Sequence, residues 1–215
     1  MALEGGADMA EVYQRVSRSI SADAKEGRAE AVETAVSFGY GLRVIKGKRL
    51  GFSYANSREN PGDVARTAIE MASVSEEDEY LDLPEPASLT GKNVDVFDEE
   101  VSGITEQKAI SLSCDVERGA RELDQRVTKI RKASAGFSTS EVLITNSKGL
   151  SVRYSSTMCS GSIMAIAQDA EEGQMGWGFQ AGRHLDDISF DAVGREAAQR
   201  AVSMLGARNI KPVKA

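Results

Sequence analysis

Residues 37–57 read SFGYGLRVIKGKRLGFSYANS, with glycines at 39, 41, 47 and 51. A glycine-rich loop that cradles a phosphate would make this a nucleotide-binding α/β chain. A hairpin would make it something plainer. After Gly39 and Gly41 a dinucleotide fingerprint requires Gly or Ala at position 44, where this chain has Val44. No helix opens there either. The pattern stays strand-like through Ile45, turns at Lys46-Gly47-Lys48 and returns through Leu50, Phe52 and Tyr54. Glycines in such a hairpin supply turns, bulges and close backbone approach. The stretch therefore reads as antiparallel strands.

Upstream, residues 10–24 and 28–37 alternate with period two. Val12, Gln14 and Val16 share one face, and Val32, Thr34 and Val36 another, with a turn at Glu26-Gly27. Downstream, Asn60 suits a helix cap, Pro61 the first helical position and Asp63 the positive end of the dipole. Val64, Ala68, Met71 and Ala72 form the expected inward stripe. Residues 75–100, SEEDEYLDLPEPASLTGKNVDVFDEE, are acidic and contain Pro84 and Pro86, which marks a solvated connector with a short extended piece at NVDVFD.

The second half opens with a helix over Thr105–Leu123, its inward residues Ala109, Leu112, Val116, Ala120 and Leu123. Strands follow at 126–138, 140–147, 149–168 and 173–183, with TNSKGL as a tight turn in which Asn146 and Gly149 tolerate positive φ. A last helix spans about Ser189 to Leu205, with Phe190, Val193, Ala197 and Ala201 inward and Gly206 as its stop. The expected fold is α+β: two subdomains of antiparallel, hairpin-rich sheets packed with helices. The halves share an order of elements that suggests an old duplication. The expected boundaries are 1–74 for the first domain, 75–103 for the linker and 104–215 for the second domain.

The inventory of reactive groups is short. GWGFQA, residues 176–181, satisfies GxGxxA by letter, but AEEGQM before it and GRHLDD after it fit neither the strand nor the helix that motif needs. No GxxxxGK[ST] loop occurs. The single histidine, His184, and the two cysteines, Cys114 and Cys159, cannot assemble the roughly four donors of a zinc site, and both cysteines read as reduced, partly buried thiols. Any Cys–His or Ser–His pair would have to use His184, which reads as a loop histidine. Asp186-Asp187 and Glu171-Glu172 read as surface carboxylates. No catalytic, cofactor-binding or metal residue is assigned. Gly39, Gly41, Gly51 and Asn146 are places for close approach of another backbone, ordinary turns being the simpler duty. The net charge of −7 disfavours nucleic acid, and the basic run at 125–132 reads as a solvated strand face. The start of the chain lacks a basic-then-apolar leader, which points to a cytoplasmic protein.

GADMAEVY, GYGLRVIKGKRLGFSYANS, DVFDEE, TNSKGL, GRHLDDIS and LGARNIKPVKA, in this order, resemble the TldD/PmbA family, and most closely its PmbA (TldE) branch. The resemblance covers essentially the whole chain. It implies a cytoplasmic peptidase assembly in which a TldD-like subunit carries an HExxxH zinc motif, while PmbA-type subunits share the fold without it. Family members continue for about as long again, so the chain is expected to be the N-terminal half, with the C-terminal domain absent and NIKPVKA opening a strand. The resemblance thus implies a non-catalytic module that helps form the assembly and admits small or unfolded peptides. Zinc is expected only in the TldD-like partner. A half-subunit is also expected to expose apolar surface and pair with a second copy. Whether the chain is an enzyme in its own right stays open. The alternatives are a regulator linked to DNA gyrase, after another name the family bears, and a stand-alone peptide-binding or assembly module.

Overall fold

The computed structural model describes residues 1–86 and 94–208. The fold is α+β, as the sequence indicates. The strands are β1 (Met9–Lys25), β2 (Arg28–Lys46), β3 (Arg49–Ala55), β4 (Val127–Asn146), β5 (Ser151–Asp169) and β6 (Glu172–Gly182). The helices are α1 (Pro61–Val74), α2 (Glu99–Ser102), α3 (Glu106–Leu123) and α4 (Phe190–Ser203), with a 3-10 turn at Leu185–Asp187. The strands form one sheet in the order β3-β2-β1-β4-β5-β6. Segments that read as separate short strands fuse: residues 28–46 are one strand, and so are residues 127–146.

Two compact units emerge. The first comprises Met1–Arg18, Val36–Val96 and Thr139–Ser156; the second comprises Ser19–Ala35, Phe97–Ser138 and Thr157–Ala215. β1, β2, β4 and β5 each give residues to both.

In the first unit, α1 covers the β2–β3 hairpin. The register pairs Tyr40 with Ala55 and Lys46 with Arg49, and the turn between them places Gly47 and Lys48 at positive φ. Leu42, Val44, Val64, Ala65, Ala68 and Ala72 form the core. Gly51 lies directly under α1: a Cβ there would sit 1.9 Å from the carbonyl oxygen of Ala68. Two expectations fail on this helix. Asn60 occupies the cap position in a left-handed conformation and makes no side-chain cap bond, and Met71 points to solvent while Ala65 is buried in its place.

In the second unit, α3 and α4 pack on each other and on the strands. Thr105 caps α3 by accepting from the Lys108 N–H at 3.2 Å. Ala109, Leu112, Val116 and Ala120 are buried as expected, while Leu123 is exposed. The helices touch through glycine, because a Cβ on Gly119 would meet the Asp191 carbonyl oxygen at 2.1 Å and one on Gly194 that of Val116 at 2.0 Å. Phe190, Val193, Ala197 and Ala201 turn inward, and Gly206 ends the segment at φ +74.

The acidic stretch is less detached than its composition implies. Leu83 and Val101 are buried and Asp82 pairs with Lys148 at 2.6 Å. Residues 94–98 of the expected extended piece form no strand; Asp98, itself extended, caps the short helix α2 that follows by accepting from the Glu100 N–H. Asn93 and the NIKPVKA strand lie outside the described residues. Among the described residues no helix is long and apolar enough to cross a membrane.

Candidate peptide-binding groove

The first unit carries an open groove of about 580 Å³ built on three neighbouring strands. β1 supplies Tyr13, Arg15 and Ser17, β3 supplies Phe52 and Tyr54, and β2 supplies residues 37–41, of which Gly41 lies against the Phe52 ring while Tyr40 packs toward the α1 core. Residues two apart on a strand share a face, so the motif Phe52-x-Tyr54 projects both rings together, 6.3 Å apart and stacked at 27°. Gly41 is the reason Phe52 can lie down over β2: a Cβ there would meet the ring at 2.9 Å. Phe38 holds the guanidinium of Arg58 over its face at 4.8 Å. The Tyr40 hydroxyl is buried and has no hydrogen-bond partner among the described residues.

Arg15 is the polar centre. Its Nη2 and Nε donate to the Ser140 hydroxyl at 2.8 and 3.3 Å, and that hydroxyl contacts Ser17 Oγ at 3.3 Å. Ser140 is buried, so the guanidinium is fixed at its root by a group that cannot neutralise it. No Asp or Glu lines the groove. Nothing in the sequence pattern announced this cluster, because 125 residues separate Arg15 from Ser140.

β3 is also an end strand, and its outer edge is only half used. The Asp78 N–H donates to the Lys48 carbonyl at 2.9 Å, Ser75 Oγ donates to the Leu50 carbonyl at 2.6 Å, and Arg49 bridges Glu77 in antiparallel sense. Backbone groups of alternate residues point the same way, so Phe52 and Tyr54 also present theirs outward. Beyond Leu50 no backbone bond to this edge occurs among the described residues. The edge can thus offer main-chain donors and acceptors beside an aromatic and cationic face.

Of the four residues singled out for close approach, Gly41 lies in the groove and Gly39 borders it, whereas Gly51 is occupied by α1. Asn146 serves its turn: its Oδ1 accepts from the N–H groups of Lys148 and Leu150, and Gly149 alone takes positive φ there.

The groups that could have carried hydrolytic chemistry have structural work. Cys159 is buried and donates to the carbonyl of His184 at 3.1 Å, not to its imidazole. Burial, followed by the nearby Asp187 and Asp98 charges, pushes the thiol up to about 11, so it stays neutral at neutral pH. Asp187 accepts from the N–H groups of Arg183 and His184, and Asp98 from those of Leu185 and Glu100. Glu172 accepts from Gln174 and the Gly206 N–H. Both glycines of GWGFQA meet α4: a Cβ on Gly176 would sit 2.0 Å from the Ala197 carbonyl and one on Gly178 2.3 Å from that of Val193. Trp177 and Phe179 stack on the opposite face at 5.6 Å. The motif is a helix seat. Among the described residues no three His, Cys, Asp or Glu side chains converge to hold a metal, so these residues do not fit a zinc ion.

Family models match two stretches of the chain: "PmbA/TldA metallopeptidase domain 1" over residues 10–72 and "PmbA/TldA metallopeptidase central domain" over residues 99–205. The metalloprotease PmbA of Escherichia coli O157:H7 is 26% identical over 98% of this chain and 48% of its own length. A solved Thermotoga maritima protein, described as a proposed modulator of a DNA gyrase, superposes with a TM-score of 0.84 at 20% identity, over 98% of this chain and 47% of that one. TldE from Thermococcus kodakarensis superposes with a TM-score of 0.78 at 22% identity, over 94% and 47%. The chain spans about half the length of these relatives or less.

Proposed function

The chain belongs to the PmbA/TldD metallopeptidase family, and on that premise we propose that it is a non-catalytic module that helps build a peptidase assembly and admits small or unfolded peptides. Hydrolysis falls to a zinc-bearing, TldD-like subunit. The part left to these residues is to take hold of extended backbone and keep folded chains out.

The observation that carries this reading is the free half of the β3 edge at Phe52–Tyr54, beside a half that Ser75–Asp78 already pairs. An extended peptide continuing that line gains main-chain hydrogen bonds whatever its sequence, and a folded protein has no free backbone to give. Phe52 and Tyr54 are 55% and 75% exposed, so side chains of the visitor meet aromatic faces on arrival.

Two measurements test it. Adding an unstructured peptide with both ends capped should slow amide exchange at Phe52 and Tyr54 and leave the α1 amides unchanged; no protection there rejects strand addition. The isolated chain should not cleave peptides, whereas its mixture with a TldD-like subunit should, and should stop when a chelator is added. Cleavage by this chain alone rejects the non-catalytic role.

A further inference from the structure

We propose that the aromatic groove is a receptor for the free C-terminal end of a peptide, with Arg15 taking the carboxylate and Phe52 and Tyr54 taking an apolar or aromatic last side chain. The inference rests on the reading that this chain handles peptides, and adds which part of the peptide is recognised.

Charge is the first argument. The protein carries a net charge of −7, and in the same unit Arg43, Arg49, Arg66 and Arg153 each reach a carboxylate. Among the described residues Arg15, Arg18 and Arg58 of this unit reach none, and of these Arg15 lines the groove, whose described lining contains no acid, while Arg58 lies over Phe38. A guanidinium pinned by Ser140 loses little further ordering entropy when an anion arrives, and charge-assisted pairing is the strongest polar contact on offer.

Size and chemistry select the anion. A volume of about 580 Å³ suits one or two residues, not a folded surface. A terminal amino acid carries its carboxylate and its side chain on the same carbon, so one residue can satisfy Arg15 and the aromatic wall together. The hydroxyls of Ser17 and Ser140 beside the guanidinium are neutral, and among the described residues lining the groove Arg15 is the one cation, where a phosphate dianion would favour two. Phe52 and Tyr54 belong both to this wall and to the free strand edge, which places peptide backbone nearby.

The experiment uses the unaltered chain and an N-terminally labelled pentapeptide ending in phenylalanine, read by fluorescence anisotropy. The free acid should bind roughly tenfold or more tightly than the same peptide with a C-terminal amide. Arg15→Gln should bring the acid down to the level of the amide and leave the amide unchanged, with an unaltered thermal melt. Equal binding of acid and amide overturns the proposal. So does an Arg15→Gln chain that still prefers the acid, or displacement of the label by adenosine monophosphate at lower concentration than by unlabelled acid peptide. Because strand addition is tested with peptides capped at both ends, exchange protection without any acid preference sinks only the terminus receptor, and absence of protection sinks the broader peptide reading.

Discussion

Glu117 shows how much a single buried side chain decides in this fold. It lies on α3, is 1% exposed, and accepts from the Glu26 and Gly27 N–H groups at 3.0 and 2.9 Å and from Arg121 at 2.8 Å. It therefore closes the β1–β2 turn, where Glu26 and Gly27 both take positive φ. Burial pushes its pKa up, but the Gly27 N–H, Arg121 and the Glu26 N–H outweigh that and hold it below the usual 4.5. A lowered folded pKa means that the stabilisation is fully present above the unfolded value and is lost as pH falls through the folded one. Glu117→Gln turns an amide N–H₂ toward N–H donors and should cost about 2–3 kcal/mol at pH 7. In denaturant titrations the deficit should stay constant above roughly pH 5 and narrow below it, since only the parent chain titrates there. A deficit independent of pH down to 3 would refute this account. The turn itself was legible from Glu26-Gly27, but its anchor was not, because the two positions are 90 residues apart. Asn60 and Met71 misled for a related reason: caps and stripes read from spacing assume a helix entered from the usual direction, and here the chain enters α1 through a left-handed residue.

At the scale of elements, glycine sets where helices rest. The GWGFQA letters suggest a cofactor loop, yet Gly176 and Gly178 leave β6 bare so that α4 can lie on it. Gly178→Ala puts a methyl 2.3 Å from the Val193 carbonyl, which only a shift of the helix relieves. It should destabilise the chain by about 2–3 kcal/mol. Gly173→Ala, whose nearest neighbour would be Gln168 Cγ at 3.9 Å, should change stability by less than about 1 kcal/mol. Similar melting shifts for the two variants would show that α4 is not seated in this way. Hairpins, helices and most inward faces were readable because periods of two and 3.6 residues are local signals. Strand length was not. SFGYGLRVIK looked like a new strand after RAEAVETAVS because its glycines resemble a break, whereas residues 28–46 run as one. The same happened at residues 138–140, where the buried positions change from odd to even within β4.

At the scale of the whole molecule, charge distribution separates the peptide reading from the one linked to gyrase. A surface that binds duplex DNA must gather several Lys and Arg against phosphates, and affinity then falls steeply with salt. Here the densest basic run, residues 125–132, is divided within itself: Val127 is buried, Arg126 pairs with Asp124 and Lys132 with Asp23 at 3.0 Å. Arg15, the one cation among the described residues lining the groove, shares it with aromatics instead, in a chain whose acids outnumber its Lys and Arg by 33 to 26. Such a chain should not shift a labelled 20-base-pair duplex at low salt and micromolar protein, while a peptide with a free aromatic end should register under the same conditions. Arg15→Gln should abolish the preference for that free end, and it should leave the DNA result null because no phosphate contact is being removed. DNA binding with a log–log salt slope of several units would require a basic surface that these pairings deny. It would return the gyrase-linked reading to first place and leave the aromatic groove to be explained on other grounds.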